Sequence, residues 1–126
     1  PGAETSWYEN PKGRAGHWQR HIVFQVTDNE SPTFDDLTGD GKPELICQTS
    51  GEVGPKKRAG QIGYAEPDWN NPSRPWKFHP ITSGQGRWQR YTHGLGVGDI
   101  SGDGRKDILE MNGRWEQPGS LAGDPE

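Results

Sequence analysis

Two acidic stretches decide how this sequence is interpreted: FDDLTGDGKPELIC, Phe34 to Cys47, and VGDISGDGRKDIL, Val97 to Leu109. When Asp36 is aligned with Asp99, an offset of 63 residues, both stretches follow the pattern D-x-[T/S]-G-D-G-x-x-[D/E]. Three carboxylates within nine residues repel one another unless a positive charge lies between them. A matched pair of such loops indicates an internal repeat, which bears on the whole fold.

The composition favours a β-protein. The chain has 126 residues, of which only 27% are hydrophobic, but its six Trp can each bury a large area. The 19 Gly and 11 Pro are spread along the chain, and no long apolar stripe with a helical period is present. We therefore expect an all-β fold made of many short strands and turns.

Charge and apolar content exclude two kinds of partner. A net charge of −4 argues against a nucleic acid, which normally binds a basic face. No segment approaches the roughly 20 apolar residues of a membrane helix, so no membrane span is expected. The single Cys47 cannot form an internal disulfide, and its apolar neighbours indicate a small buried residue.

The repetition extends beyond the acidic loops. Three phrases begin with Trp: WYENP at Trp7, WNNP at Trp69 and WEQP at Trp115. The first two are each followed by a Trp-x-x-His sequence, which ends at His21 and at His79. The recurrence of these Trp and His residues favours a structural role for them over a carbohydrate-stacking surface or a metal site.

These phrases divide the chain into one repeat at about residues 7–68, a second at about 69–114 and the start of a third at 115–126. The longer first repeat contains a predicted surface excursion at Thr49 to Pro67, with a short predicted strand at Gln61 to Tyr64. A unit of about 60 residues with several short strands is typical of one blade of a β-propeller. Because two blades leave open sheet faces, the remaining blades of a larger propeller or a homo-oligomer are expected to cover them.

The acidic loops have the chemistry of calcium sites. Ca²⁺ takes six to eight oxygen ligands, which positions 1, 3, 5 and 9 of the pattern can supply. Position 7, occupied by Lys42 or Arg105, can add a backbone carbonyl, and Gly41 or Gly104 at position 6 allows the chain to wrap around an ion. Mg²⁺ prefers a smaller octahedron, and Zn²⁺ prefers His or Cys, which both loops lack.

Two other interpretations of these loops are possible. An Asp- and Gly-rich surface turn is the simplest, but it does not account for two matched copies. An EF-hand-type loop needs an acidic residue at position 12 and a following helix. Position 12 is Cys47 in the first copy and Glu110 in the second, and Pro43 with the β-type run ELICQ argues against a helix.

The doubled loop and the Trp phrases resemble the FG-GAP/VCBS repeats of integrin-type calcium-binding β-propellers, and the likeness covers nearly the whole chain. The resemblance implies a seven-bladed propeller of a secreted or cell-envelope bacterial protein, with up to two structural Ca²⁺ ions between the first two strands of its blades. The implied ligands are Asp36, Thr38, Asp40, the Lys42 carbonyl and Glu44, then Asp99, Ser101, Asp103, the Arg105 carbonyl and Asp107.

This sequence departs from the family pattern at three places. Thr38 and Ser101 stand at position 3, where Asp or Asn is usual, and Glu44 stands at position 9, where Asp is usual. Asp35 replaces the glycine that precedes the first loop in the family.

The segment RYTHGLG precedes the second loop, and nothing equivalent precedes the first. In propellers of this type the strand before the calcium loop lies beside the central channel, so Arg90, Tyr91 and His93 are candidates for a sugar or carboxylate site. His93, with Tyr91, is also a candidate for acid–base chemistry. Ordinary packing and turn polarity are the alternative for these residues.

Three functions follow as expectations. The leading one is binding or adhesion to an unknown protein or carbohydrate ligand by a calcium-stabilised propeller segment at an extracellular, periplasmic or cell-surface location. An enzyme, a propeller-fold lyase or dehydratase acting on sugars, is the second and less favoured. A purely structural assembly module is the third, and fold likeness alone does not choose among them.

Overall fold

The computed structural model describes residues 3–51, 60–83 and 91–123. Within these ranges the chain is all-β, with no helix, as the sequence predicts. The strands are β1 (Ala3–Glu9), β2 (Gln19–Thr27), β3 (Thr33–Asp35), β4 (Glu44–Thr49), β5 (Gln61–Glu66), β6 (Lys77–Pro80), β7 (Gly96–Gly98), β8 (Asp107–Glu110) and β9 (Gly113–Trp115).

The strands form three small antiparallel sheets. The first contains β1 and β2, the middle sheet has the order β3-β4-β5-β6, and the third has the order β7-β8-β9. Each strand pairs with its neighbours in sequence, so every connection inside a sheet is local. The described sheets do not close into a ring.

The middle sheet is covered on both faces. Its central strand β4 is buried at every position, because consecutive side chains of a strand point to opposite faces and both faces pack against neighbours. The cluster on one face joins it to the third sheet and contains Leu37, Ile46, Ile62, Tyr64 and Ile108, with Ile81, Leu95, Val97 and Trp115 packed against it. The cluster on the other face reaches β2 and contains Leu45, Cys47 and Ala65, with Phe24, Trp76 and Phe78 packed against it.

The two acidic stretches form hairpins with the same register. Phe34 is opposite Leu45 in the first, and Val97 is opposite Ile108 in the second, again at an offset of 63 residues. In both hairpins the acidic loop joins the first strand of its sheet to the second. The strand predicted at Gln61 to Tyr64 is confirmed as part of β5. The prediction that Thr49 to Pro67 form a surface excursion is wrong for this strand, because β5 lies inside the middle sheet and Ile62 to Ala65 are buried. Residues 52–59 of the predicted excursion lie outside the described residues.

The first hairpin, β1–β2, is held by an aromatic ring, a histidine and a carboxylate. The rings of Trp7 and His21 stack with their centroids 4.5 Å apart, and these two residues are directly opposite in register. His21 Nε2 also lies 3.2 Å from the Glu9 carboxylate. We call this arrangement the first clamp.

The hairpin β5–β6 carries a second clamp of the same kind. Tyr64 stacks on His79 with the ring centroids 4.8 Å apart, and the two residues are again opposite in register. His79 Nε2 lies 2.9 Å from the Glu66 carboxylate. By its stacking on a histidine, Tyr64 is therefore the structural counterpart of Trp7. The sequence similarity of the Trp phrases instead aligns Trp7 with Trp69.

Candidate metal centre

The first acidic loop turns at two glycines with a left-handed backbone. Gly39 has φ of 80° and Gly41 has φ of 85°, and the second loop repeats both values closely at Gly102 (81°) and Gly104 (86°). Residues with a Cβ adopt this conformation at a cost, so glycine is the residue that these positions require. The positive φ that the sequence predicts at position 6 is present in both loops.

The first loop brings three carboxylates together. Asp36, Asp40 and Glu44 each offer one oxygen, and these three oxygens all lie within 4.8 Å of one another. Asp36 is half-buried, Asp40 is exposed and Glu44 is buried, so the group opens to solvent on one side. Among the residues that the structure describes, this is the one group of three or more acidic, His or Cys side chains that could hold a metal ion.

The backbone of the loop fixes these carboxylates. Asp36 accepts hydrogen bonds from the backbone N–H groups of Gly39 (2.8 Å) and Gly41 (3.0 Å), and Asp40 accepts one from the N–H of Lys42 (2.8 Å). Each carboxylate oxygen can accept more than one partner, so these bonds leave room for a cation. The side chains are therefore positioned before any ion binds.

Glu44 is the buried member of the group. Its Oε2 accepts the N–H groups of Leu37 (3.0 Å) and Thr38 (3.3 Å), and its Oε1 accepts the Thr38 hydroxyl (3.3 Å). Burial raises the pKa of Glu44, the hydrogen bonds from Thr38 and Leu37 oppose that rise, and the charge of Asp40 adds to it. A carboxylate that is costly to keep charged gains most from a nearby cation.

The resemblance implies two further ligands in the first loop, the Thr38 hydroxyl and the Lys42 carbonyl. The Thr38 hydroxyl donates to Glu44, so it supports a ligand in this structure. Lys42 contributes its N–H to Asp40, and its carbonyl stays a predicted ligand.

The second loop has the same backbone bonds but a different carboxylate arrangement. Asp99 accepts the N–H groups of Gly102 (2.7 Å), Asp103 (3.1 Å) and Gly104 (2.9 Å). The three carboxylates of the second loop all lie in the described part, and they do not converge as those of the first loop do. The second predicted site, with Ser101 and the Arg105 carbonyl among its ligands, thus stays a prediction.

Asp107 takes the position of Glu44 in the second loop and, like Glu44, accepts hydrogen bonds at both carboxylate oxygens. Its Oδ2 accepts the N–H groups of Ile100 (3.0 Å) and Ser101 (2.9 Å), and its Oδ1 accepts the N–H of Gln117 (3.0 Å). The Gln117 N–H is the main cause of a lowered pKa for Asp107, and the N–H groups of Ser101 and Ile100 add to it against the effect of burial. Both oxygens of this side chain are thus occupied by backbone donors.

Arg105 supplies a positive charge in the second loop. Its guanidinium pairs with the Asp103 carboxylate, and its Nε donates to the Gln117 carbonyl at 3.0 Å. The residue at the same position of the first loop is Lys42, for which the described part shows no ion pair. The two loops therefore differ in how their own residues neutralise the aspartates.

The two loops are also tied to each other, which the sequence does not reveal. Lys106 Nζ donates to Asp35 Oδ1 at 2.8 Å, and this contact is the main cause of a lowered pKa for Asp35. The Gln117 side chain donates to the Leu37 carbonyl at 2.7 Å. These contacts join sequence positions 71 and 80 residues apart, and no motif signals them.

The candidate residues before the second loop lie against the segment after β2. The N–H of Tyr91 donates to the Asp28 carbonyl at 3.0 Å, and the N–H of Glu30 donates to the Thr92 carbonyl at 3.1 Å. His93 Nε2 lies 3.1 Å from the Glu30 carboxylate, with 70% of the His93 side chain exposed. Arg90 lies outside the described residues, so a cleft shared by Arg90, Tyr91 and His93 stays a prediction.

An apolar cavity of about 380 Å³ lies between the first and middle sheets. Trp7 and Trp76 both line it, and both direct their indole N–H groups to the Pro72 carbonyl, at 3.1 and 3.0 Å. Phe34 stacks on Trp76 at its wall, with the ring centroids 5.9 Å apart. Trp7 and Trp76 thus connect the first sheet to the middle one through Pro72, while the structural role of the three Trp phrases stays a prediction.

No protein-family model matches this chain, and neither does any curated protein or solved structure. The described part also contains no helix long and apolar enough to cross a membrane. What the chain does is therefore inferred from its own residues and their geometry.

Proposed function

We propose that this chain is a calcium-binding segment of FG-GAP/VCBS type, built from propeller blades, in which Ca²⁺ holds the acidic loops in place. The observation that carries the proposal is the convergence of Asp36, Asp40 and Glu44 within one loop. The matched registers of the two loop hairpins support a repeated unit. The four-stranded meander of the middle sheet has the strand order of a propeller blade, which supports the proposed architecture.

The donor set favours Ca²⁺ over other ions. All of the converging ligands are oxygens, and the loop has an open side where further waters or a carbonyl can complete six to eight ligands. A divalent ion among three carboxylates leaves a net charge of about −1, where the loop alone would carry about −3. The loop contains no His or Cys for Zn²⁺.

The proposed role of the ion is structural, in a module that binds a protein or carbohydrate ligand outside the cytoplasm. Millimolar calcium is available there, which suits the weak sites of extracellular modules. Because Lys106 and Gln117 link the second loop to the first, an ion in the first loop also steadies the packing of the middle sheet on the third. A rigid pair of sheets then presents the surface that binds the ligand.

Thermal melting with CaCl₂ or EDTA tests this proposal. An excess of Ca²⁺ of about a hundredfold over Kd stabilises the native state by about 2.7 kcal/mol, which raises Tm by about 10 °C for a chain of this size. Asp40→Asn replaces one of the converging carboxylates by a neutral amide at an exposed position, and the lost negative charge weakens cation binding, so we expect it to abolish most of that rise. MgCl₂ at the same concentration is expected to give a much smaller shift.

The matched control is Asp103→Asn in the second loop, where the carboxylates do not converge. It should keep the rise that depends on the first loop, and calorimetric titration of both variants counts the sites. A Tm that is the same in CaCl₂ and in EDTA would refute calcium binding. A rise that survives Asp40→Asn but is lost in Asp103→Asn would place the ion in the other loop.

A further inference from the structure

The clamps show which strands of the first and middle sheets correspond. The first clamp joins β1 to β2, and the second clamp joins β5 to β6, with the stacked pair opposite in register in both hairpins. β1 therefore corresponds to β5, and β2 corresponds to β6. The far edge of β6 is unpaired among the described residues, so an unpaired far edge on β2 fits the same plan.

The edge of β1 does not fit that plan. In the middle sheet β5 pairs with β4 on the side away from β6, through a register that runs from Leu45↔Ala65 to Thr49↔Gln61. Within residues 3–51, 60–83 and 91–123, β1 pairs with β2 alone. Among the described residues, the place that β4 takes beside β5 thus has no occupant beside β1.

The composition of β1 suits an edge that receives a partner. An edge strand that must stay unpaired is usually short or carries Lys or Pro, which discourage pairing. The outer strand β6 has these features, since it has four residues, begins at Lys77 and ends at Pro80. β1 has seven residues, AETSWYE, and contains neither Lys nor Pro. β2 also lacks Lys and Pro, but its Val23 carbonyl already accepts the N–H of Trp76 at 2.6 Å.

Tyr8 gives a second, independent indication. By the clamp alignment Tyr8 corresponds to Ala65, which is fully buried beside Leu45 of the neighbouring strand. Tyr8 itself is 55% exposed. A strand paired with β1 would lie beside this ring and remove apolar surface from water.

We propose that the free edge of β1 binds a strand of the same kind as β4, carried by another copy of the loop-and-strand repeat. The bound strand runs antiparallel to β1, directly follows an acidic D-x-[T/S]-G-D-G loop, and carries consecutive apolar residues. Its register copies the middle sheet, so the residue equivalent to Leu45 lies opposite Tyr8 and the one equivalent to Ile46 lies opposite Trp7. Main-chain hydrogen bonds supply the affinity and the apolar side chains supply the selectivity.

The proposal is tested with a synthetic peptide of residues 33–50 of this chain, carrying Cys47→Ser to prevent disulfides. The peptide is titrated into the isotope-labelled chain and followed by NMR, in CaCl₂ and again in EDTA. We expect saturable one-to-one binding, with β1 amide resonances shifted and their hydrogen exchange slowed at least tenfold. The amides of β6 should be unaffected, and a peptide with the same residues in scrambled order should not bind.

Two variants with equally exposed apolar side chains provide the control. Tyr8→Lys puts a charge on the receiving strand and should weaken peptide binding at least tenfold, whereas Ile22→Lys, on β2 at 49% exposure, should change it less than twofold. Absence of binding at 1 mM peptide, or shifts centred on β6 or β9, would overturn the proposal. Self-association of the chain that Tyr8→Lys removes and that the peptide does not displace would also overturn it, because the edge of β1 would then bind a strand other than the one that follows an acidic loop.

The outcome does not depend on the proposed calcium site. If melting shows no effect of Ca²⁺ while the peptide still binds β1, the metal proposal fails and the edge proposal stands. If Ca²⁺ stabilises the chain while no peptide binds, the reverse holds.

Discussion

At the scale of the residue, the last carboxylate of the first acidic loop is one methylene longer than that of the second, Glu44 against Asp107. Glu44 is long enough to accept hydrogen bonds from Leu37 and Thr38 and still approach Asp36 and Asp40. Asp107, at the same position of the second loop, accepts the equivalent N–H groups of Ile100 and Ser101 but is one methylene shorter, and the second-loop carboxylates do not converge. The departure from the family pattern at position 9 therefore falls in the loop whose carboxylates converge.

Cys47 gives a prediction at this scale. Burial, and to a lesser degree the charge of Asp28, raises the pKa of its thiol to about 12. Because the thiolate is the reactive form, the native protein should not react with a disulfide reagent between pH 7 and pH 9. The unfolded chain should react with one equivalent.

The raised pKa of Cys47 also makes the stability of the protein depend on pH. Above the ordinary pKa of a thiol the unfolded chain loses this proton while the native chain keeps it, so the free energy of unfolding should fall as pH rises beyond about 9. Cys47→Ala should remove that part of the pH dependence. Rapid labelling of the native protein at pH 8 would contradict the buried position of Cys47.

At the scale of the element, the middle sheet depends on close contact between β5 and β6. A Cβ added at Gly63 would lie 2.2 Å from the His79 carbonyl oxygen and 2.6 Å from the Phe78 ring, both on the paired strand. Neither backbone nor ring can move that far without breaking the pairing. The glycine is therefore required by space here, whereas in the acidic loops it is required by φ.

Gly63→Ala should accordingly lower the free energy of unfolding by about 3 kcal/mol, the upper range for overpacking a core site. Gly98→Ala is the matched control, because Gly98 also lies in a strand but has no atom within 4 Å of its added Cβ. It should change stability by less than about 0.5 kcal/mol. Chemical denaturation of the two variants measures both values, and equal stability would show that β6 shifts freely.

At the scale of the whole molecule, the burial of a side chain depends on whether the face of the sheet that carries it is packed against another sheet. Ile46 in β4 and Leu109 in β8 are at the same position of their hairpins, at the offset of 63 residues. Ile46 is fully buried between the middle and third sheets, whereas Leu109 is 47% exposed on the third sheet. The same place in the pattern is therefore core in one sheet and surface in the other.

Truncation of these two residues tests that contrast. Ile46→Ala should lower the free energy of unfolding by about 2–5 kcal/mol through lost burial and a cavity. Leu109→Ala should cost less than about 0.5 kcal/mol. If Leu109→Ala is as costly as Ile46→Ala in solution, then a partner covers the outer face of the third sheet.

Much of this arrangement follows from local sequence, because the features concerned are local in cause. The acidic loops, their positive-φ glycines, the β-run after Pro43 and the strand at Gln61 are confirmed, since turn chemistry and apolar runs act over a few residues. The all-β class follows for the same reason.

The remaining features depend on contacts distant in sequence. Tyr64 and Trp7 are structurally equivalent because each stacks on a histidine across its hairpin. The sequence similarity of the Trp phrases does not show this equivalence. The Lys106–Asp35 ion pair and the burial of Ile46 depend on how two sheets meet. Glu44 and Asp107 also differ in one hydrogen-bond donor, which is the Thr38 hydroxyl for Glu44 and the distant Gln117 N–H for Asp107.

The single carbonyl of Pro72, which accepts the indole N–H groups of both Trp7 and Trp76, has an optical consequence. Trp7 belongs to the first sheet, whereas Trp76 and Pro72 both lie in the segment that leads into the last strand of the middle one, so separating the two sheets would break the Trp7 bond and leave the Trp76 bond in place. The Trp7 indole would then enter water, and its share of the fluorescence emission should move to longer wavelength. That share, measured as the difference in emission between this chain and its Trp7→Phe variant, reports in real time whether the first hairpin is packed on the middle sheet.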